Sequence, residues 1–173
     1  MELILFIGLQ ASGKSSFYRA RFAATHDLIS KDRLRNNKNR ERRQRQLIAE
    51  ALAAGRPVVV DNTNPTTEDR RPLIELAKAA GVHVTGYYFA SRLEDCLGRN
   101  QLRQGKDHVP DVALFATAAK LQRPTVAEGF DQLFHVCLAA GAFEVAEWKE
   151  EEDNPAAGND PRLRVSDAEG TPC

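Results

Sequence analysis

The amino-acid sequence predicts a three-layer α/β fold, a mostly parallel sheet with helices on both faces and a small lid. Short apolar stretches alternate with helix-forming stretches, the pattern of parallel strands joined by crossover helices. The first apolar stretch, residues 3–7, is uninterrupted, as a central strand buried on both faces is. A glycine-bearing turn, Gly8-Leu9-Gln10-Ala11-Ser12-Gly13-Lys14-Ser15, follows it directly and opens the first helix.

Taken in order, residues 3–7 form the first strand, and the first helix runs through about Thr25. Residues 27–30 read as a short second strand. Residues 31–55 contain no proline, are rich in helix formers and stop at Gly55, so they form a helical region with an irregular start at residues 36–39. A third strand at 57–61 ends in a carboxylate. The polar turn after it caps a helix over 68–80, which Gly81 ends. The β-branched and aromatic stretch 82–89 is a fourth strand, and 91–103 is a helix with Leu93, Cys96 and Leu97 on one face. A polar connector at 104–110 leads to a helix over 111–121, a strand at 132–138 and an edge strand at 143–148.

Length and composition fit one domain with a sizeable core: 173 residues, 42% hydrophobic and 28% charged. Residues 1–149 are expected to form that domain, with its lid at about 103–112. Residues 150–173 open on a run of acids and hold few apolar residues, so they read as an acidic, flexible tail. No apolar run reaches the length of a membrane span, and the start of the chain is unlike a signal peptide. Cys96, Cys137 and Cys173 lack paired spacing and read as reduced thiols, which together point to a cytoplasmic protein without membrane contact. His26, His83, His108 and His135 have no metal-ligand spacing, so no structural metal is expected.

The turn at residues 8–15 fits G-x-x-x-x-G-K-[ST], the phosphate-binding loop of the P-loop NTPase fold, and has the strand before it and the helix after it that this motif requires. Backbone N–H groups of such a loop converge with the helix N-terminus on one anion. Gly8, Ala11, Ser12, Gly13, Lys14, Ser15 and Ser16 are therefore the expected ATP-binding residues. Lys14 reaches the β/γ-phosphates, and the Ser15 hydroxyl ligates Mg²⁺.

Ligands in such folds lie at the carboxyl ends of the strands. Asp32, just past the second strand, can accept a proton from an attacking hydroxyl; the bland alternative is a solvated cap. Asp61 ends the third strand and suits a Mg²⁺ ligand, against the alternative of a turn-capping aspartate. Asn62 and Asn64 follow it in the same turn and, with Asp32, Arg35 and Asp61, are the expected substrate-binding residues. Arg103, at the end of the fourth helix, can cover the transferring phosphoryl group, with Arg99 one turn earlier as its competitor. Lys31, Arg33, Arg35, Lys38, Arg40, Arg42, Arg43 and Arg45 are opposed only by Asp32 and Glu41. That run is either a solvated helix face or a surface for a polyphosphate strand. The acidic tail has the opposite sign; if it folds over the basic run, truncation at Glu150 tightens nucleic-acid binding at low salt.

The order of these motifs resembles the kinase domain of polynucleotide 5′-hydroxyl kinases: the phosphate loop, Ser30-Lys31-Asp32-Arg33-Leu34-Arg35, Val59-Val60-Asp61-Asn62-Thr63-Asn64-Pro65, an arginine-bearing lid before His108-Val109-Pro110, and Pro124-Thr125-Val126-Ala127-Glu128-Gly129-Phe130-Asp131. The resemblance runs from Leu3 to about Val136. It implies ATP and Mg²⁺ as cofactors, Lys14 and Ser15 holding them, and a 5′-hydroxyl end of DNA or RNA as acceptor. Asp32 becomes the general base, Arg35 an acceptor-phosphate contact, Asp61 and Asn62 the second acidic turn, and Arg103 the lid arginine. No phosphatase or ligase module is expected in this sequence, so in end repair the protein supplies only the 5′-phosphate or works with a separate phosphatase or ligase. Two other readings stay open: a small-molecule kinase acting on a nucleoside, antibiotic or other metabolite, and a non-catalytic ATP-binding accessory protein. Oligomeric state is not legible.

Overall fold

The computed structural model describes residues 1–90, 92–139 and 141–149. The expected tail at 150–173 lies outside the described residues, and so does Cys173. Six strands form one sheet: β1 (Glu2–Gly8), β2 (Asp27–Ile29), β3 (Val58–Val60), β4 (His83–Phe89), β5 (Gln132–Ala139) and β6 (Ala142–Glu147). Their order is β2-β3-β1-β4-β5-β6. All neighbours pair in parallel except β5 and β6, which form an antiparallel edge. Five helices connect them: α1 (Lys14–Arg21), α2 (Arg40–Ala53), α3 (Thr67–Ala79), α4 (Leu93–Gln101) and α5 (Asp111–Lys120).

The alternation of side chains in β1 explains the layers. Leu3, Leu5 and Ile7 face one side and pack with Ile48, Ala51 and Leu52 of α2, Leu73, Ile74 and Ala77 of α3, Leu93 and Cys96 of α4, and Leu114 and Ala118 of α5. Ile4 and Phe6 face the other side, where Phe17 of α1 packs with Val59, Phe89 and Val136. The central strand is thus buried on both faces, as its unbroken apolar run requires. The second face is aromatic: Phe17 lies 5.1–5.9 Å from the rings of Phe6, Phe22, Tyr87, Phe89 and Phe143. Burying a side chain such as Phe17 stabilises by about 1.5–3 kcal/mol, so the helix that carries the phosphate loop is pinned from beneath.

Two helix ends differ from expectation. α1 stops at Arg21 rather than near Thr25, because Phe22 turns inward and its N–H caps the Tyr18 carbonyl. α4 stops at Gln101, so Arg103 lies beyond the helix instead of closing it. Asn100 explains that second end. Its fully buried amide accepts from Val109 N–H at 3.1 Å and donates to the Val109 carbonyl at 2.6 Å and to Asp111 at 3.3 Å. The lid segment between α4 and α5, which includes a 3-10 turn at Gly105–Asp107, is therefore closed at its base by one side chain. Cys96 and Cys137 are buried. No helix among the described residues is long and apolar enough to cross a membrane.

Candidate active site

The phosphate loop begins where β1 runs out. Gly8 adopts φ +149°, and a Cβ there would meet the Phe89 carbonyl oxygen at 2.9 Å. Gly13 caps α1 at φ +99°, with Phe143 only 3.0 Å from where a Cβ would stand. Both positions require glycine for the turn and for the close approach of neighbouring strands. Gly8 N–H donates to the Thr63 carbonyl at 2.9 Å, which ties the loop to the turn after β3.

Lys14 is buried, and its ammonium donates to the Gly8 carbonyl at 3.1 Å, to the Leu9 carbonyl and to Ser12 Oγ at 3.3 Å. Burial pulls its pKa down from 10.5 to about 8; the carboxylates of Asp61 and Asp32 and the Cys96 thiol oppose that fall, and Arg103 adds to it. Ser15, in the first turn of α1, donates to Asp61 Oδ2 at 2.6 Å. Asp61 is itself 9% exposed and extends from the end of β3.

These residues wall a cleft of about 560 Å³ at the carboxyl ends of the strands. Ala11, Gly13, Lys14, Ser15 and Ser16 of the loop and first helix line it together with Asp32, Arg33 and Arg35 from the segment after β2 and Asp61 and Asn62 from the turn after β3. Arg103 lines it from the lid, together with Gln104 and Asp107. Asp32 is exposed to the cleft, and its N–H is held by the Ser30 hydroxyl at 3.3 Å, the cap of the 3-10 turn Lys31–Leu34. Asn62 accepts from Lys31 N–H at 2.9 Å, which joins the turn after β3 to the segment carrying Asp32. The other end of its amide, Nδ2, is buried without a partner among the described residues.

Arg99 and Arg103, equivalent on sequence, separate here. Arg99 Nε donates to the Ala11 carbonyl at 2.8 Å and braces the outside of the loop, whereas Arg103 reaches the cleft. His108 is exposed and stands off the cleft wall. Asn64 is a correction: expected among the substrate-binding residues, it is 3% exposed and donates from Nδ2 to the Phe6 carbonyl at 2.8 Å. Its φ of +42° turns its side chain inward, so it buttresses β1 and does not line the cleft.

Beneath this turn is a feature that the helical pattern hides. Arg70 of α3 is fully buried, with an ion pair to Glu128 at 2.6 Å and hydrogen bonds to the carbonyls of Asn64 and Pro65 at 3.1 and 3.2 Å. Glu128 also accepts from Thr125 N–H at 3.1 Å. Asp131 takes Val84 N–H and the Lys78 ammonium, at 2.7 and 2.6 Å, and these hold its carboxyl below its ordinary range. The 124–131 segment therefore supports the turn after β3 and contributes nothing directly to the cleft. Thr125 and Glu128 form a capping box at the start of its 3-10 turn, while the buried ion-pair partner of Glu128 comes from α3.

The donor set fits Mg²⁺: a hydroxyl and a carboxylate, both hard oxygen ligands, in contact beside the loop. Among the described residues no group of three or more His, Cys, Asp or Glu could hold a metal by itself.

Comparison with known proteins gives the family and the fold. The profile of a family described as an AAA domain matches residues 3–124. A bifunctional polynucleotide phosphatase/kinase from Schizosaccharomyces pombe is 28% identical over 139 residues, which cover 78% of this chain and 33% of that protein. The chain thus spans about a third of the length of the curated relative it matches. A gluconokinase from Sinorhizobium meliloti superposes with TM-score 0.56 at 23% identity, over 80% of this chain and 83% of that one. Kti12 from Chaetomium thermophilum, solved with ADP-AlF3, gives TM-score 0.57 at 19% identity, over 78% and 88% of the two chains.

Proposed function

Because the chain belongs to the AAA domain family and has the fold of P-loop kinases, we propose that it transfers the γ-phosphate of ATP to the 5′-hydroxyl end of a DNA or RNA strand. The observation that carries this reading is that the phosphate loop and the exposed Asp32 line one and the same cleft. A protein that only binds ATP has no use for a carboxylate placed there.

The steps follow from the residues. The loop N–H groups and Lys14 hold the β/γ-phosphates. Ser15 and Asp61 would hold Mg²⁺, which would supply positive charge to offset that of the phosphates. Asp32 accepts the proton of the 5′-hydroxyl as its oxygen bonds to the γ-phosphorus. The bond from phosphorus to the bridging oxygen breaks, and ADP leaves. Arg103 neutralises charge on the transferred group, and the Nδ2 of Asn62 is free to donate to the acceptor. Arg33 and Arg35 line the acceptor side, and the exposed Arg40, Arg42 and Arg45 extend the positive surface along α2. A strand of phosphates is attracted there, and salt weakens that attraction. The S. pombe relative, whose name records a polynucleotide kinase activity, supports this acceptor class.

The test is transfer from labelled ATP to a panel of 5′-hydroxyl oligonucleotides, nucleosides, 3′-monophosphates and sugar acids. Product on oligonucleotides, rising with length, is the expected result. Product on nucleosides or sugar acids alone moves the assignment to a small-molecule kinase, and ATP binding without product moves it to an accessory protein.

A further inference from the structure

A second cleft, of about 190 Å³, lies between α2 and α3. Its walls are Lys31, Glu41, Gln44, Arg45 and Glu68, with Pro72 and Leu73 forming an apolar side. Nothing in the mechanism above uses it. Gln44 is the unusual member: it is 1% exposed, yet its Nε2 has no hydrogen-bond partner among the described residues. Buried side-chain amides are ordinarily satisfied. Whichever way the amide is oriented, it presents a donor beside an acceptor.

We propose that this cleft receives a nucleobase of the acceptor strand and reads it through Gln44. This rests on the polynucleotide reading of the main cleft. Lys31 lines the second cleft, while Asp32, the next residue, lines the first. Consecutive Cα atoms are about 3.8 Å apart, so the two clefts adjoin there, and the proposal sets the base of a nucleotide whose 5′-hydroxyl meets Asp32 in the gap between α2 and α3. A glutamine amide matches the amine and ring-nitrogen edge of adenine, and a carboxylate accepts from the cytosine amine. Glu41 and Glu68 supply such carboxylates, and Pro72 and Leu73 an apolar wall for a base. The Lys31 ammonium, 3.1 Å from Glu41, stands beside the sugar–phosphate path. Glu41 and Glu68 beside that amide therefore favour bases with an exocyclic amine next to a ring nitrogen, adenine and cytosine among them, over uracil or thymine, whose carbonyl oxygens they repel.

Two measurements test this. In the first, the protein with nitrogen-15 in its glutamine side chains is titrated with adenosine, cytidine and uridine 3′-phosphates. The Gln44 amide is identified by its loss in Gln44→Leu. Its resonance is expected to move with the adenosine and cytidine compounds at concentrations about tenfold lower than with uridine, within the range of one bidentate base contact. In the second, kcat/KM is compared for oligonucleotides that differ only at their 5′-terminal base. Adenine and cytosine ends are expected to be favoured about tenfold, and Gln44→Leu to reduce the preference to within about twofold. An unmoved Gln44 resonance at saturation, or an equal response to all three bases, overturns the proposal. Oligonucleotide transfer without base preference overturns it too, while leaving the polynucleotide reading intact. Base-selective Gln44 shifts with no transfer to any oligonucleotide support the pocket and overturn the polynucleotide assignment.

Discussion

Lys14 gives a prediction whose size follows from its burial. Its ammonium is held at a pKa of about 8, against 10.5 for an exposed lysine, chiefly because burial penalises the charge. Phosphates of bound ATP oppose that penalty and keep the lysine protonated. Binding must then take up a proton whenever the free protein has lost it. From a pKa near 8, uptake is about a tenth of a proton at pH 7 and about nine tenths at pH 9. Affinity for ATP falls about tenfold per pH unit above pH 8. The same shift affects folding with a definite sign. Between pH 8 and 10.5 the unfolded chain binds more protons at this lysine than the folded one, so the cost of its buried charge, about 3 kcal/mol, is relieved as pH rises through that window. Calorimetric titration of ATP in buffers of different ionisation enthalpy counts the protons directly. Uptake that stays flat from pH 7 to 9, or that persists in Lys14→Ala, would refute the reasoning.

Other expectations follow from the same contacts. Glu128→Ala leaves Arg70 charged and buried, which costs about 3–5 kcal/mol; with a urea slope of about 2 kcal/mol/M, the unfolding midpoint should fall by about 1.5–2.5 M. Asp61→Asn keeps the shape but loses the charge beside Ser15, so Mg²⁺ dependence of turnover should shift to higher concentration while nucleotide-free stability holds in thermal unfolding. Replacing Arg40, Arg42 and Arg45 with glutamate should raise KM for oligonucleotides much more than for a 3′-monophosphate and flatten the salt dependence of binding. Equal effects on both acceptors would remove the strand-binding face.

Much of the site was legible because its signals are local. The phosphate loop needs a strand, two glycines, a lysine and a hydroxyl within fifteen residues. Parallel topology then brings the ends of β2 and β3 beside it, which is how Asp32 and Asp61 reach the same cleft from separate parts of the chain. Features that depend on a distant partner were not legible. Arg70 resembles a surface arginine of an amphipathic helix until Glu128, 58 positions away, is placed against it. Asn64 reads as one more polar turn residue, and only its left-handed backbone and the Phe6 carbonyl show that it points inward. Arg99 and Arg103 share a helical pattern; the Ala11 carbonyl and the end of α4 at Gln101 separate them. Asn100 and Gln44 are buried polar residues at positions that periodicity assigns to the core, one fully bonded and one not.

The central claim is that Asp32 activates an acceptor hydroxyl opposite a nucleotide held by Lys14. Its most direct test is single-turnover transfer to a 5′-hydroxyl oligonucleotide by Asp32→Asn, measured beside ATP affinity. The account predicts a fall in rate of about 10²–10⁴ with ATP affinity unchanged within about twofold. A variant that keeps more than about a tenth of the wild-type rate would contradict it.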